Sequence, residues 1–266
     1  AAPLAGSRAR SAATNPPPTT RIPTGSPETD DSRSRKDISG SIPDMPFAPE
    51  RGVPFKKDDV RARAAIVRAR AAVASDLEAL RLDVAGCTAC TLCADRQRTV
   101  FADGDGSAGV LFVGWAPGSL EEEQGKPFLG RSGKLLTDII EKGMGLPRSK
   151  VMITNVHKCR PAEDRDPTAA EAHICSPWLE RQIELSGARV VVPLGERAAG
   201  HLLRRPNTPL ESLRGQVHRV GGYKVIATYD PALLLEDPSK KRACWADIQR
   251  AMAELGLGPP GQRSPK

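Results

Sequence analysis

The sequence predicts an α/β protein, a three-layer α/β/α sandwich around a central, mainly parallel four-stranded sheet. Four short, β-branched apolar runs are continuous rather than alternating, as expected of strands buried on both faces. Segments with helical periodicity separate these runs, and such alternation favours a parallel sheet. The length of 266 residues allows one sizeable domain with an additional tail.

The first segment, residues 1–57, is predicted to be a disordered, proline-rich, basic tail. It holds ten of the 24 prolines and has no periodic apolar pattern, so burial cannot offset its ordering entropy. The whole chain has a net charge of +7, and this segment carries nine Lys and Arg against six acids. A positive balance permits a nucleic-acid partner.

A helix of about six turns is predicted next, over residues 58–84, because the stretch is rich in Ala, Leu and Arg and lacks Gly and Pro. We expect it to lie on the surface of the domain that follows, over residues 85–256. The end of the chain, residues 257–266, is predicted to be disordered.

Four strands and the helices between them make up the predicted domain. In such folds the functional groups lie on loops beyond the carboxyl ends of the strands. Apolar stripes at helical spacing occur in three of the intervening segments, around Leu136, Leu179 and Leu202. The strands are Gly109 to Trp115, Lys150 to Val156, Ala188 to Gly195 and Tyr223 to Tyr229.

Cysteines provide the first chemical signal, since all six lie after residue 86. Cys87 and Cys90 form a C-x2-C hook, and Cys159 and Cys175 follow at a distance. Four thiolates can bind zinc or a 4Fe-4S cluster, and spacing alone does not separate the two. Four unrelated core cysteines are the alternative.

The remaining two cysteines are interpreted as spare. Cys93 extends the hook, but Gln97 stands where a ferredoxin-type run would need its next cysteine. Cys244 lies in an amphipathic stretch and is expected to be a small buried hydrophobe. A capping box at Thr168 and a fresh helix start at Ser176 and Pro177 would place Cys175 at a break between two helices.

No apolar run is long enough to span a bilayer, and no secretory signal is evident. These features predict a cytoplasmic protein without a membrane partner, and we expect a monomer.

Taken in order, the motifs resemble those of the family 4 uracil-DNA glycosylases, which carry a 4Fe-4S cluster. The resemblance covers residues 85 to 255 and rests on a second distant cysteine together with CTAC (87–90), RTVFADG (98–104), GWAPG (114–118), GKPFLGRSGKLL (125–136), TNVHKCRP (154–161), VVPLG (191–195) and YDPALLL (229–235).

This resemblance implies a glycosylase acting on a base flipped out of DNA. Phe128 would stack on uracil, and the amide of Asn155 would pair with the uracil edge. The implied base-binding set is Gly114, Trp115, Ala116, Pro117, Gly118, Phe128, Asn155 and Asp230, of which Trp115, Asn155 and Asp230 would be catalytic.

The resemblance also implies a structural 4Fe-4S cluster on Cys87, Cys90, Cys159 and Cys175, with zinc as the lesser candidate. DNA would be the partner, and its phosphates would be contacted by the basic side chains Arg131, Lys158, Arg160 and Arg165.

Three positions depart from the family pattern. Trp115 replaces a glutamate implicated in positioning water, Asp230 replaces a histidine that donates to the departing uracil, and Glu236 replaces an arginine. A carboxylate at 230 would oppose the charge of a uracil anion. Three functions follow as alternatives: a slow uracil glycosylase that uses Asp230 differently, a glycosylase for a positively charged base, or a DNA-binding protein without catalysis. A zinc-stapled domain that binds a small ligand would require the motif order to be accidental.

Overall fold

A computed structural model describes residues 43–50 and 55–258. The predicted disorder of residues 1–57 and 257–266 therefore lies largely outside the described residues. Residues 43–50 lie against the domain, since Arg63 donates to the carbonyl of Phe47 and Thr88 donates to that of Pro46.

Within the described residues, the sheet has five strands in the order β2-β1-β3-β5-β4. Neighbours are parallel except for β4, which pairs antiparallel with β5 at the edge. The predicted fold class is confirmed, and β4 is an addition that its short, polar sequence did not indicate. The strands are β1 (Val110–Gly114), β2 (Met152–Asn155), β3 (Val190–Pro193), β4 (His218–Val220) and β5 (Tyr223–Val225).

Helices cover both faces of this sheet. Single turns of 3-10 helix occur at Thr91–Cys93, Arg148–Lys150, Ala162–Asp164 and Pro238–Lys240, and a π-helical turn at Ile139–Gly143. The α-helices of the described ranges are α1 (Lys57–Val73), α2 (Leu77–Ala85), α3 (Ser119–Gln124), α4 (Gly130–Asp138), α5 (Ala169–Ser186), α6 (Glu196–Leu202), α7 (Leu210–Leu213), α8 (Pro231–Glu236) and α9 (Lys241–Leu255).

Two apolar layers form the sandwich. On one face, Val110 and Phe112 of β1 pack with Leu136 of α4 and Ile248 of α9. On the other face, Leu111 and Val113 pack with side chains of α5. Helices α1 and α2 then cover α5. Within the described ranges, none of the helices is long and apolar enough to cross a membrane.

The single helix predicted over residues 58–84 is in fact two helices. Ala74 is extended at the end of α1, and Asp76 starts α2 by accepting a hydrogen bond from the Ala79 N–H at 2.9 Å. An aspartate that satisfies free N–H groups in this way favours a new helix start over continuation.

The predicted helix break at Cys175 is wrong, because α5 runs through Ser176 and Pro177 without interruption. The Ser176 hydroxyl donates to the Ala172 carbonyl at 2.9 Å and caps no helix. Pro177 leaves one carbonyl without its helical donor, a cost that packing overrides here. The capping box is confirmed, with reciprocal hydrogen bonds between Thr168 and Glu171.

Candidate active site and cysteine cluster

A pocket of about 510 Å³ opens beyond the carboxyl ends of β1 and β2. The parallel register sets Gly114 directly beside Asn155, so the two strand ends form its floor. Among the lining residues are seven that the sequence analysis assigned to base binding: Trp115, Ala116, Pro117, Gly118, Phe128, Asn155 and Asp230.

The absence of a side chain at Gly114 makes room for two of these residues. A Cβ atom there would lie 2.2 Å from Asn155 Oδ1 and 2.6 Å from Cε2 and Cζ of the Phe128 ring. Real Cβ atoms do not approach other atoms so closely. Glycine is therefore required for the amide and the ring to meet at the pocket floor.

Asn155 presents an unsatisfied donor at this floor. The residue is only 1% exposed, and its side-chain Nδ2 has no hydrogen-bond partner among the described residues. A buried donor left unpaired costs about 1 to 3 kcal/mol. A ligand that accepts a hydrogen bond from Nδ2 would recover that cost.

Phe128 is held in a strained backbone conformation, with φ at 53°. Such a conformation costs a non-glycine residue about 1 to 3 kcal/mol. Arg148 Nη2 stabilises the loop by donating to the carbonyls of Pro127 and Phe128 at 3.0 and 3.2 Å. Gly133 lets α4 pack this closely against the Phe128 loop, because a Cβ at position 133 would lie 1.9 Å from the Phe128 carbonyl oxygen.

Glu121 is a pocket residue that the sequence analysis missed. Its carboxylate accepts from the backbone N–H of Gly118 at 3.0 Å and of Leu129 at 3.2 Å, and so ties the 114–118 turn to the Phe128 loop. Burial raises the pKa of Glu121, and the nearby charge of Asp230 adds to the effect. An acid three residues after a helix N-cap was the available signal.

Asp230 forms the N-cap of α8 and also lines the pocket. One oxygen, Oδ1, accepts from the Ala232 N–H at 2.7 Å. Burial raises the pKa of Asp230, the Ala232 hydrogen bond opposes the rise, and Glu236 adds to it.

Trp115 packs against two histidines. Its ring lies edge-on to His157 with centroids 4.6 Å apart, and 6.0 Å from His201. The backbone carbonyl of Trp115 accepts from both the N–H and Nδ1 of His157 at 3.0 Å. Burial lowers the pKa of His157 to about 4, so this imidazole is neutral at physiological pH.

A second cavity lies behind the pocket and is lined by the four cysteines of the predicted cluster: Cys87, Cys90, Cys159 and Cys175. Burial raises the pKa of the Cys159 thiol to about 12 and that of Cys175 to about 11. Cys93, predicted to be spare, also borders this cavity.

Cys244 lies apart from this cavity, in the apolar layer that contains α4 and α9. Within residues 43–50 and 55–258, no group of three or more His, Cys, Asp or Glu side chains is arranged to hold a metal ion.

The sequence of this domain is similar to those of known proteins. Residues 101–249 match the family model described as the uracil DNA glycosylase superfamily. The type-4 uracil-DNA glycosylase of Saccharolobus solfataricus is 36% identical over 191 residues, which span 69% of this chain and 88% of the relative. Its counterpart from Thermotoga maritima is 38% identical over 168 residues, or 62% of this chain and 87% of the relative.

The chain belongs to the uracil-DNA glycosylase superfamily. A further relative is the type-4 uracil-DNA glycosylase of Sulfurisphaera tokodaii, which is 37% identical over 69% of this chain and 86% of that protein. The resemblance to family 4 is thereby confirmed.

The prediction that Lys158 contacts DNA phosphates is wrong for this member of the uracil-DNA glycosylase superfamily. Lys158 is only 1% exposed, and Nζ donates to Thr154 Oγ1 at 2.7 Å and to the Asn155 carbonyl at 2.5 Å. Burial lowers the pKa of Lys158 to about 7, against the influence of Cys175 and Cys159. A side chain sealed in this way cannot reach a phosphate.

The three arginines of the predicted DNA-binding set lie at the surface or at the pocket rim. Arg131 is exposed in the first turn of α4. Arg160 forms a bidentate pair with Asp164 at 2.7 and 3.0 Å, and Arg165 lines the pocket while paired with Glu171. Arg197, which the sequence analysis did not single out, also lines the pocket.

Arg96 contributes a positive charge to the cysteine cavity. Its Nη1 donates to Cys159 Sγ at 3.3 Å and to the Cys87 carbonyl at 2.6 Å. Hydrogen bonds to ligand sulfurs are a recurrent feature of metal sites. The four cysteines line one cavity with this cationic donor beside them, and all but Cys87 are buried. The chemistry of this donor set, rather than a formed metal geometry, fits a group that binds thiolates.

Glu171 links two of the cysteine-bearing segments, since it accepts from Thr91 beside the hook and from Arg165 while capping α5. Burial alone would raise the pKa of Glu171, but these hydrogen bonds outweigh burial and lower it to about 2.

We expect Glu171→Gln to lower the free energy of unfolding at pH 7 by about 1.5 to 3 kcal/mol, the usual contribution of hydrogen bonds to a charged group. Because the folded pKa lies below the unfolded value of about 4.3, this stabilisation is complete above that value and is lost towards pH 2. Anaerobic urea unfolding at pH 7 and pH 4 measures both effects.

Glu184→Gln is the matched control, because it removes an exposed carboxylate that pairs with Arg181 on the same helix. It should cost less than about 1 kcal/mol. Equal costs for the two variants, or a cost for Glu171→Gln that is the same at both pH values, would contradict this role.

Proposed function

We propose that the chain is a DNA-repair glycosylase that hydrolyses the N-glycosidic bond of uracil flipped out of DNA. The observation that carries the proposal is the buried, unpartnered Nδ2 of Asn155 at the floor of a pocket shared with Phe128. Membership of the uracil-DNA glycosylase superfamily supports the reaction class, and the names of the type-4 relatives support the base.

Asn155 would read the edge of the base. A side-chain amide offers both a donor and an acceptor, so Nδ2 would donate to uracil O4 while Oδ1 accepts from N3–H. Cytosine presents a donor where uracil has O4 and would leave Nδ2 unpaired. Rejection of a base that leaves a buried polar group unsatisfied is typically strong.

Phe128 would stack on the ring of the extruded base. Its loop is fixed before the base arrives, since Arg148 holds the carbonyls of Pro127 and Phe128 and Glu121 holds the N–H of Leu129. A preformed platform lowers the entropy cost of binding.

Asp230 would orient the attacking water. Its Oδ1 is used by the Ala232 N–H, which leaves Oδ2 to accept a hydrogen bond from water. As the water oxygen bonds to C1′ of the sugar, its proton passes to Oδ2 of Asp230. The bond between C1′ and the base nitrogen breaks, and its electron pair leaves with the base. Without a histidine donor near the leaving base, we expect slow turnover, since one such donor is worth about 10² to 10³ in rate.

Arg131, Arg165 and Arg197 would contact DNA phosphates around the pocket. Arg165 and Arg197 line the pocket, and Arg131 lies exposed on the adjacent α4. We also propose that the protein is a monomer and is located on the nucleoid. Size-exclusion chromatography with light scattering tests the oligomeric state.

Cys87, Cys90, Cys159 and Cys175 would hold a 4Fe-4S cluster, whose contribution when bound is a cross-link between the hook, the loop after β2 and α5. We expect the anaerobically purified protein to be brown, with about four iron atoms per chain. Cys159→Ala should lose most of the iron and much of the thermal stability. Iron and sulfide analysis with a visible spectrum measures this.

Two cysteine controls sharpen the test. Cys244→Ala changes a buried cysteine in the opposite apolar layer and should keep all its iron. Cys93→Ala changes a cysteine that borders the same cavity and should also keep it. A colourless protein that contains only zinc would contradict the cluster.

A second candidate is a glycosylase for a positively charged, alkylated or protonated base. The observation that favours it is the pair of carboxylates, Glu121 and Asp230, in a pocket also lined by Trp115. An electron-rich ring and an anion both stabilise a cation, and such a base leaves as a neutral molecule.

One excision assay separates these functions. Oligonucleotides carrying uracil, hypoxanthine, xanthine or an alkylated base are incubated with the wild type and with Asp230→Asn. We expect uracil release by the wild type and at least a tenfold loss in the variant. Release of only the alkylated base would favour the second candidate, and tight binding without any release would indicate a DNA-binding protein.

A further inference from the structure

Lys158 lies between the cysteine cavity and the base pocket. Its ammonium group donates to Thr154 Oγ1 and to the backbone carbonyl of Asn155, the last two residues of β2. The same side chain lines the cavity of the four cysteines. Asn155 in turn carries the unpartnered amide at the pocket floor. A single buried side chain thus contacts the strand end behind the pocket and borders the cluster site.

Burial of an ammonium group is costly unless an opposite charge lies nearby. Cys159, its neighbour in the chain, and Cys175 line the same cavity as Lys158, and negative charge on their sulfurs favours the protonated lysine. Sulfurs that ligate a metal are anionic, so an assembled cluster would supply the charge that favours this buried cation.

We propose that Lys158 is a positioning residue that couples an assembled cluster to the placement of Asn155. The ligand thiolates attract the ammonium group, the ammonium group fixes the Asn155 carbonyl, and the fixed backbone aims the Asn155 amide into the pocket. The inference rests on the proposed function, in which Asn155 reads the base. It gives the cluster a part in base recognition beyond cross-linking.

The test uses the iron-loaded protein with Lys158→Met, which keeps an unbranched side chain but removes the charge and both hydrogen bonds. Two quantities are measured: the equilibrium affinity for free uracil and the midpoint potential of the cluster. We expect uracil affinity to fall about tenfold, as for the loss of one good hydrogen bond. The midpoint potential should shift to lower values, because a cation near the thiolates is removed.

Arg96→Gln is the matched control, since Arg96 also places a cation beside Cys159 but is not among the residues that line the base pocket. It should lower the midpoint potential and leave uracil affinity unchanged. Thr154→Val is a milder companion that keeps the charge and removes one acceptor of the Lys158 ammonium. It should weaken uracil binding several-fold while the iron content stays complete.

Uracil affinity that is unchanged in iron-loaded Lys158→Met would overturn the coupling. If that variant loses its iron, Thr154→Val decides, and wild-type affinity there overturns the coupling equally. Equal weakening by Arg96→Gln would also overturn it, because the effect would then follow from any nearby cation. A wild type with no affinity for uracil would instead contradict the proposed function, and this inference with it.

Discussion

Alanine at position 114 should abolish uracil binding while the domain still folds. The added Cβ would lie 2.2 Å from Asn155 Oδ1 and 2.6 Å from the Phe128 ring, so both groups must leave the pocket floor. We expect at least about a hundredfold loss of uracil excision, comparable to the loss of a key polar contact in a catalytic site. Single-turnover excision and binding of free uracil measure the effect.

Gly222→Ala provides the control for a general effect of replacing glycine. A Cβ there meets no atom within 4 Å, and Gly222 lies in the turn between β4 and β5. It should excise uracil at the wild-type rate. Full activity of Gly114→Ala would show that the amide and the ring are not the base-binding groups.

Replacement of Asp230 by histidine should raise the rate of uracil excision by about 10 to 10². The gain of about 10² to 10³ from a donor to the leaving base exceeds the roughly tenfold loss of the water-orienting carboxylate. An imidazole at this position can donate a hydrogen bond to the oxygen that gains charge as uracil departs, which an anionic carboxylate cannot. The double variant with Trp115→Glu should be faster still, because it adds a carboxylate to orient water. Single-turnover rates on uracil-containing DNA measure both changes.

Loss of a helix cap is the structural cost of the Asp230 change, since Asp230 caps α8. Such a loss costs about 1 kcal/mol. Asp237→His measures this cost separately, because Asp237 also caps a helical turn but is not a pocket-lining residue. A well-folded Asp230→His with no gain in rate would mean that the leaving base does not lie beside residue 230.

Local sequence patterns, namely apolar runs and a helix-capping pair, predicted much of the fold. Continuous β-branched runs identified the four parallel strands, and the Thr168 and Glu171 pair identified the start of α5. Gly114 and Asn155 both stand at the carboxyl ends of predicted strands, where functional groups are expected. The pairing of β1 with β2, which the sequence did not predict, brings them side by side.

Tertiary packing decided what the sequence did not reveal. Pro177 is a helix breaker by propensity, yet α5 continues through it while packed between the sheet and α1. Lys158 looks like a solvated charge in a basic motif, and its burial depends on contacts made by β2 and the cysteine segments. Glu121 acquires its role from two backbone N–H groups, one of which belongs to the separate Phe128 loop.

The most direct test of the account is single-turnover release of uracil from single-stranded DNA by the wild type and by Asn155→Asp. The aspartate has the same shape but lacks the Nδ2 donor and would repel uracil O4. We predict measurable release by the iron-loaded wild type and a loss of about 10² to 10³ in the variant. Equal rates for the two proteins, or no release by a well-folded, iron-loaded wild type, would contradict it.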